Sequence, residues 1–450
     1  MIYGTYLMII MLAIPVISVV SYFFRHFREI SMGLALTTLF FTLLVFMLNS
    51  GTYSYFYLNN INRYILICVS SIYVFSVIYG TGYHRKLGES KHLRMHMSMM
   101  GLFAFTMLFS VIINNLGLMW IGIEGTTASS ALLIIIEGEP ADMEAAWRYI
   151  IIVSAGLSIA LFSIILIYRV FGTLEITVLL SSSSQPSQIL VLAALLGIIG
   201  FGTKGGIFPM HSWLPDAHGR APSEISAMFS AVLLPIAIYA IYIIIKTINI
   251  TLIYEAATLF SVITILFVAL VMASQRDIKR MFAYSTMENM ALILLGFVLG
   301  NMALFGSILI IMTHAFAKAG AFYSSGNLIE SYRTRNMISI QNVLGEQRPM
   351  AYTLTLSTLA VSGAPPFGTF LGEFFIFSSL YSQGMGIIMA ILVILLVIIF
   401  LSINYKVLKM VFSNAPPAST PKISAQQIFI TGATVAISGI FAFLFMVGIL

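Results

Sequence analysis

Lys204 stands in the run LLGIIGFGTKGGIFPMHSWLPDAH (195–218), flanked by glycines and followed by a proline inside an apolar segment. A charged group at a bilayer centre costs about 2.5–3.5 kcal/mol even on permissive scales, so such a residue faces a protein or water-filled interior and serves transport. Gly205, Gly206 and Pro209 would break the helix there, and broken helices in membranes occur where freed backbone groups line a cavity. Other ionisable residues share this setting. Glu124 lies in MWIGIEGTTASSALLIII, followed by Thr126, Thr127, Ser129 and Ser130, whose hydroxyls can satisfy a carboxylate and whose small surfaces let helices approach. His314 and Lys318, in THAFAKAG, are four positions apart and share one helix face. Glu288 sits beside Asn289, about three turns into the helix opened by QRDIKRMFAYSTMENM, where a structural hydrogen-bonding role is the alternative to proton relay. Glu373 closes SGAPPFGTFLGEF, where Gly363, Pro365, Pro366 and Gly368 interrupt a second apolar run. Such carboxylates and amines take up and release protons, and each charge acts strongly on its neighbours where screening is poor. The chemistry on offer is proton transfer along a buried polar axis.

Other chemistries lack their residues. The sequence has no glycine-rich nucleotide loop in a strand–helix setting, no HExxH and no nucleophile elbow. The single Cys68 excludes disulfides, CxxC zinc sites and cysteine-ligated iron–sulfur clusters within the chain. His84, His92 and His96 cluster near the third connection and read as solvated loop residues rather than as a metal site. No cofactor or metal is therefore expected in this chain.

The elements that must position these groups are membrane spans. At 60% hydrophobic and 8% charged residues, the composition lies outside the range of a soluble domain and leaves almost nothing for an aqueous one. The start of the chain runs into an apolar helix without a basic stretch or an A-x-A site, so no cleaved signal is expected. Apolar runs of bilayer-spanning length fall at 2–24, 30–49, 62–83, 95–113, 116–137, 147–171, 188–218, 221–245, 251–273, 277–300, 302–328, 351–381, 384–411 and 424–449. That predicts an all-α polytopic protein of about fourteen helices, the seventh and twelfth broken. The stretch 173–188 reads as interfacial, ending in a serine-rich turn. Of the 22 Lys and Arg residues, even-numbered connections hold only Arg63, Arg169 and Lys246, and Lys204 and Lys318 stay inside; the rest lie on odd-numbered connections. The positive-inside rule then places odd loops in the cytoplasm and both termini outside, which assigns the net charge of +6 to orientation rather than to nucleic acid. The acidic loop at Glu137, Glu139, Asp142 and Glu144 leaves this intact, because carboxylates contribute little to the rule. The two breaks lie five spans apart, an odd number, so equivalent helices in two five-helix units would run in opposite directions. This is the trace of an inverted repeat within one membrane domain: 1–94, three leading helices; 95–246, helices 4–8; 247–412, helices 9–13; 413–450, a last helix.

Several of these segments carry a resemblance: NNLGLMWIGIEGTT, TKGGIFPMHSWLPDAHGRAPSEISA, QRDIKRMFAYST, THAFAKAGAF and SGAPPFGTFLGEF. The chain resembles the antiporter-like, ion-translocating membrane subunits shared by respiratory complex I, group 4 membrane-bound NiFe hydrogenases and Mrp-type cation/proton antiporters. NNLGLMW and the glutamate within YSTMEN make it most similar to the hydrogenase-4 component F branch. The resemblance implies that Glu124 and Lys204 form a coupled pair in a first half-channel, that His314 and Lys318 match the family's helix 11 histidine and lysine, and that Lys318 leads toward Glu373 as the exit-side residue. Where many relatives carry a lysine or histidine on helix 8, FSAVLLPIAIYAIY offers Phe229, Ser230 and Pro235, so bound water would have to cross that gap.

The expected function is proton translocation driven by electron transfer in partner subunits of a complex I-like or hydrogenase complex in the plasma membrane. Those partners are other antiporter-like and small membrane subunits and a cytoplasmic arm carrying iron–sulfur clusters, with NiFe or quinone chemistry. The basic loops 84–94 and 329–350 are candidates for docking that arm. An Mrp-type sodium/proton antiporter subunit and a structural anchor with a relic polar axis are the alternatives.

Overall fold

The computed structural model of the chain describes residues 2–83, 91–135, 140–182, 185–413 and 423–446. In hydrocarbon each backbone N–H and C=O must be satisfied within the protein, and for single apolar segments the α-helix does this. The first helices are α1 (Ile2–Ile17), continued as a 3-10 segment Ser18–Phe23, then α2 (Phe27–Phe46) and α3 (Asn60–Tyr83). A small antiparallel hairpin, β1 (Gly51–Tyr53) and β2 (Phe56–Leu58), joins α2 to α3. Next come α4 (Lys91–Ile112), α5 (Leu116–Ile134), α6 (Pro140–Phe171), the short α7 (Ile176–Ser181) and α8 (Gln188–Gly205). After them follow α9 (Trp213–Arg220), α10 (Ser223–Met228), a π-helical stretch Phe229–Leu233, α11 (Leu234–Ile248) and α12 (Thr251–Met272). The chain continues through α13 (Ile278–Leu299), α14 (Asn301–Tyr332), α15 (Val343–Glu346), α16 (Arg348–Val361), α17 (Gly368–Ser382), α18 (Gly386–Phe412) and α19 (Ala425–Met446).

Among the described residues twelve helices are long and apolar enough to cross a membrane. The expected twelfth span, 351–381, is divided between two shorter helices, α16 and α17, and Ala425–Phe441 within α19 is a shorter apolar helix. Many outward residues, among them Ile151, Phe162, Leu270 and Ile394, are large, apolar and exposed, as lipid contact requires. Helix starts are capped by side chains placed for that role. Asn115 accepts from Leu118 N at 3.0 Å, Ser187 from Leu190 N at 3.3 Å, and Asp277 from Arg280 N at 3.0 Å.

The chain divides into two compact units. The first comprises 1–77, 86–213 and 232–259; the second, 78–85, 214–231 and 260–450. In the first, α6 packs along α8 and α5, and α8 also against α11. A Cβ on Gly156 of α6 would lie 2.5 Å from Thr203 Oγ1 of α8, so only glycine permits this approach. In the second unit α14 is the hub, packed against α10, α13, α16, α17 and α19. Its middle is buried on all sides, including every residue from Ile308 to Leu328. Gly306 of α14 and Gly372 of α17 bring the two backbones together, each Cβ position lying 2.6 Å from the other residue's carbonyl oxygen.

Two groups that the sequence assigns to solvated connections are placed otherwise. Lys279 is not part of a solvated helix end: it is buried and donates to Ala221 O at 2.8 Å, while Arg280 pairs with Asp216. His96 is buried inside α4 rather than solvated; His92 is exposed, and His84 lies outside the described residues.

Candidate functional site

In the first unit, Lys204 occupies the last turn of α8, where carbonyls lose their helical partners and a cation is favoured by the helix dipole. The helix stops because Gly206 is left-handed, at φ 74° and ψ 24°. The next helix begins at Trp213, whose indole N–H reaches back to Thr203 O at 2.8 Å and satisfies one of the orphaned carbonyls. Lys204 is fully buried. Its Nζ donates to Thr127 Oγ1 at 2.9 Å and to Tyr149 OH at 2.7 Å, and lies 4.9 Å from the centroid of the Tyr149 ring. Tyr149 OH is 2.7 Å from Ser130 Oγ, and Trp213 packs on its ring at 4.9 Å. An ammonium, a phenol and a serine hydroxyl thus stand in series, and each hydroxyl can both donate and accept.

Glu124 lies three positions before Thr127 on α5, on the same side of the helix, but does not touch Lys204. Its Oε1 accepts from Ser154 Oγ at 2.6 Å, and its buried Oε2 has no protein partner among the described residues. The expected pair is therefore coupled through space rather than joined as an ion pair. With no nitrogen–oxygen approach within 4.0 Å, that coupling stays below about 4 kcal/mol at an effective dielectric constant near 20.

In the second unit, Lys318 Nζ donates to Phe282 O at 2.7 Å and sits 5.6 Å from the Phe282 ring centroid. The same carbonyl accepts from Thr286 Oγ1 at 2.9 Å, and Thr286 Oγ1 is 2.6 Å from Ser230 Oγ. His314 Nε2 approaches Ser230 O at 3.2 Å, and its Nδ1 has no partner among the described residues. Ser230 thus links the histidine to the lysine by its carbonyl and its hydroxyl. Its position explains why. The π-helical stretch Phe229–Leu233 displaces the normal bonding ladder, and Pro235, five residues on, has no N–H to offer. The Ser230 carbonyl is left available for His314. The run FSAVLLPIAIYAIY (229–242), which has no lysine or histidine, therefore places a backbone carbonyl where many relatives have a charged side chain.

Glu288 is buried on α13, its Oε2 without a hydrogen-bond partner among the described residues, beside Asn289, whose amide donates to Ser285 O at 3.0 Å and to Val361 O at 3.3 Å. Glu373, on α17, lies beneath the interruption between α16 and α17: a Cβ on Gly363 would sit 2.5 Å from its Oε2, and Gly363 itself has φ 75°. Among the described residues Lys318 makes no direct contact with Glu373, so the expected link between them is not a hydrogen bond. The structure also brings forward His218, fully buried on α9, stacked on Phe322 at 5.1 Å with neither ring nitrogen hydrogen-bonded among the described residues. The sequence pattern does not single out His218 or Tyr149, and it marks Ser230 only as a residue that is not ionisable. Only HSWLPDAH, continuous with the Lys204 break, could have flagged the first.

No group of three or more His, Cys, Asp or Glu side chains among the described residues could hold a metal ion. Of the basic loops considered for docking, 84–90 lies outside the described residues, and Arg335 is turned inward to Gly219 O.

This fold has known relatives. A hydrogenase-4 component F homolog of Methylacidiphilum infernorum is 31% identical over 349 residues, covering 73% of both chains. A chain of respiratory complex I from Thermus thermophilus superposes with a TM-score of 0.81 at 17% identity, over 96% of this chain and 97% of that one. A chain of the Mrp complex from Dietzia sp. superposes with a TM-score of 0.88 at 17% identity, over 99% and 96%. These solved structures share the fold. Residues 113–399, which hold Glu124, Lys204, Glu288, His314, Lys318 and Glu373, match the model of the NADH:quinone oxidoreductase/Mrp antiporter transmembrane family. The chain is a multi-pass, antiporter-like membrane subunit that belongs to this family.

Proposed function

We propose that this subunit translocates protons, using Glu124 and Lys204 in the first unit and His314, Lys318, Glu288 and Glu373 in the second. The observation that carries the reading is the setting of its two membrane lysines. Both are fully buried, and neither is locked to a carboxylate: Lys204 rests on Thr127 and Tyr149, Lys318 on the Phe282 carbonyl. A structural lysine at such depth would be expected to hold a permanent counter-ion, since leaving a buried charge unpaired is costly. Lys204 can hand a proton to the Tyr149 hydroxyl as that hydroxyl passes its own proton to Ser130 and on to bound water, with no ion pair to break. The carboxylates act through space, so a change of charge at Glu124 alters the energy of the proton on Lys204. Bound water around Ser230 and Thr286 carries the proton where side chains do not reach.

The driving event comes from outside the chain. We infer partner antiporter-like and small membrane subunits, and a peripheral arm with iron–sulfur clusters and NiFe or quinone chemistry on the basic side of the membrane. The bias of Lys and Arg to odd-numbered loops supports a plasma-membrane orientation with both termini outside. The resemblance to a hydrogenase-4 component supports a redox-driven complex over an Mrp assembly. Gentle purification of the tagged subunit followed by mass spectrometry tests this. Iron–sulfur and hydrogenase or quinone-reducing subunits are expected; recovery of small membrane subunits alone overturns the redox assignment in favour of a sodium/proton antiporter.

A further inference from the structure

A cavity of about 410 Å³ opens in the second unit where the α12–α13 connection, the segment after α14 and the end of α18 meet. Three cations line it, Arg276, Lys406 and Lys409, and no carboxylate does. Its walls are pinned. Met337 N donates to Arg276 O at 2.8 Å, Ile278 N to Arg335 O at 3.1 Å, and Asp277 bridges Asn336, so the two connecting segments are tied edge to edge. Lys406 Nζ donates to Met272 O at 2.6 Å and Gln275 O at 2.9 Å, fastening α18 to the end of α12. Arg276 and Lys409 are exposed, and their side chains form no hydrogen bond or ion pair with the described residues. The nearest carboxylate in sequence, Asp277, is occupied as the cap of α13. On the outer side the rim is apolar and exposed: Ile338 at 57%, Tyr405 at 68%, and Leu408 and Phe412 further along α18.

We propose that this cavity binds the phosphate of an anionic phospholipid, with Arg276 and Lys409 on the phosphate oxygens and the acyl chains running along the exposed face of α18. Three features select that ligand. Unpaired cations call for an anion, the position at the ends of membrane helices is headgroup level, and the apolar rim continues into the lipid-facing surface. A soluble anion would use the first feature only. Tyr405 supplies an aromatic ring with a polar edge, the kind of side chain enriched at that depth.

The test uses the full chain in its purified complex, reconstituted in phosphatidylcholine vesicles carrying a trace of photoreactive phosphatidylglycerol or photoreactive phosphatidylcholine. Crosslinks are mapped by mass spectrometry to peptides containing 273–276, 337–341 and 405–413. The phosphatidylglycerol probe is expected to label these peptides preferentially. One cation near an anionic headgroup accounts for about a fivefold preference, so the Arg276→Gln/Lys409→Gln double variant should reduce it by about thirtyfold. The conservative pair Arg276→Lys/Lys409→Arg should retain it. Equal labelling by both probes in the native protein overturns the proposal, as does unchanged preference in the double variant. Displacement of the phosphatidylglycerol probe by inorganic phosphate at low concentration assigns the site to a free anion and also overturns it. Should the double variant fail to assemble, the native comparison and the conservative pair still decide.

Discussion

Removing a single oxygen, in Tyr149→Phe, isolates the hydroxyl series beside Lys204. That oxygen accepts from Lys204 Nζ at 2.7 Å, lies 2.7 Å from Ser130 Oγ, and is the atom that joins them. The ring stays, so its packing on Trp213 and its face toward the Lys204 ammonium, both at 4.9 Å, are kept. Lys204 also keeps Thr127. The structural cost should then be that of one or two buried hydrogen bonds, about 1–3 kcal/mol, and the subunit should still assemble. For transport, a proton leaving Lys204 must find another acceptor. Losing one charge-assisted hydrogen bond raises that step by about 1.5–3 kcal/mol, a slowing of about 10- to 150-fold. The assay is proton uptake or release by vesicles containing the complex, followed with a pH-sensitive dye while electron transfer is recorded in parallel. Assembled Tyr149→Phe complex that pumps at the native rate would show that the Lys204–Tyr149–Ser130 series is not on the proton's route.

Gly363→Ala places a methyl group 2.5 Å from Glu373 Oε2 and forces a side chain into a left-handed backbone, at about 1–2 kcal/mol for the backbone alone; a lowered melting temperature with transport reduced beyond the loss of assembled complex is expected, and native transport would deny Glu373 its role. Pro235→Ala supplies the N–H missing after Ser230, so the helix can close and compete for the carbonyl that His314 uses. Thermal stability should hold or rise while transport falls, and a variant that transports normally would remove the π-helical stretch from the mechanism. Ser230→Ala keeps that carbonyl but cuts the contact with Thr286, at about 0.5–1.5 kcal/mol, so it should lower transport less than Pro235→Ala in the same assay.

The groups that stand out in the sequence do so because charge is rare there. Lys204, Lys318, Glu288 and Glu124 can be picked out one by one, and the glycines and prolines around Lys204 and before Glu373 mark where α8 ends and where α16 gives way to α17. Partnership is not legible. Which hydroxyl meets Lys204 depends on the rotation and offset of α5 and α6 against α8, and a tyrosine such as Tyr149 reads equally well as a lipid-facing residue. The Glu124–Lys204 pair that the resemblance implies is a case in point: Thr127 and Tyr149 take the hydrogen bonds expected of the carboxylate. Lys279 misleads for a different reason. Within QRDIKR it shares the look of a solvated helix end, and only the packing of Ala221 over it buries it. The role of Ser230 depends on a local change of helix type. A hydrophobicity pattern carries no trace of that, although Pro235 is a partial signal.

Lys204→Ala in the intact, reconstituted complex tests the proton-translocation reading most directly. Proton flux and electron transfer should be measured on the same vesicles, with assembly checked by the recovery of every subunit. The expected result is an assembled complex in which proton flux through this subunit is lost. Native proton flux per electron from the same assembled variant would contradict translocation through Lys204.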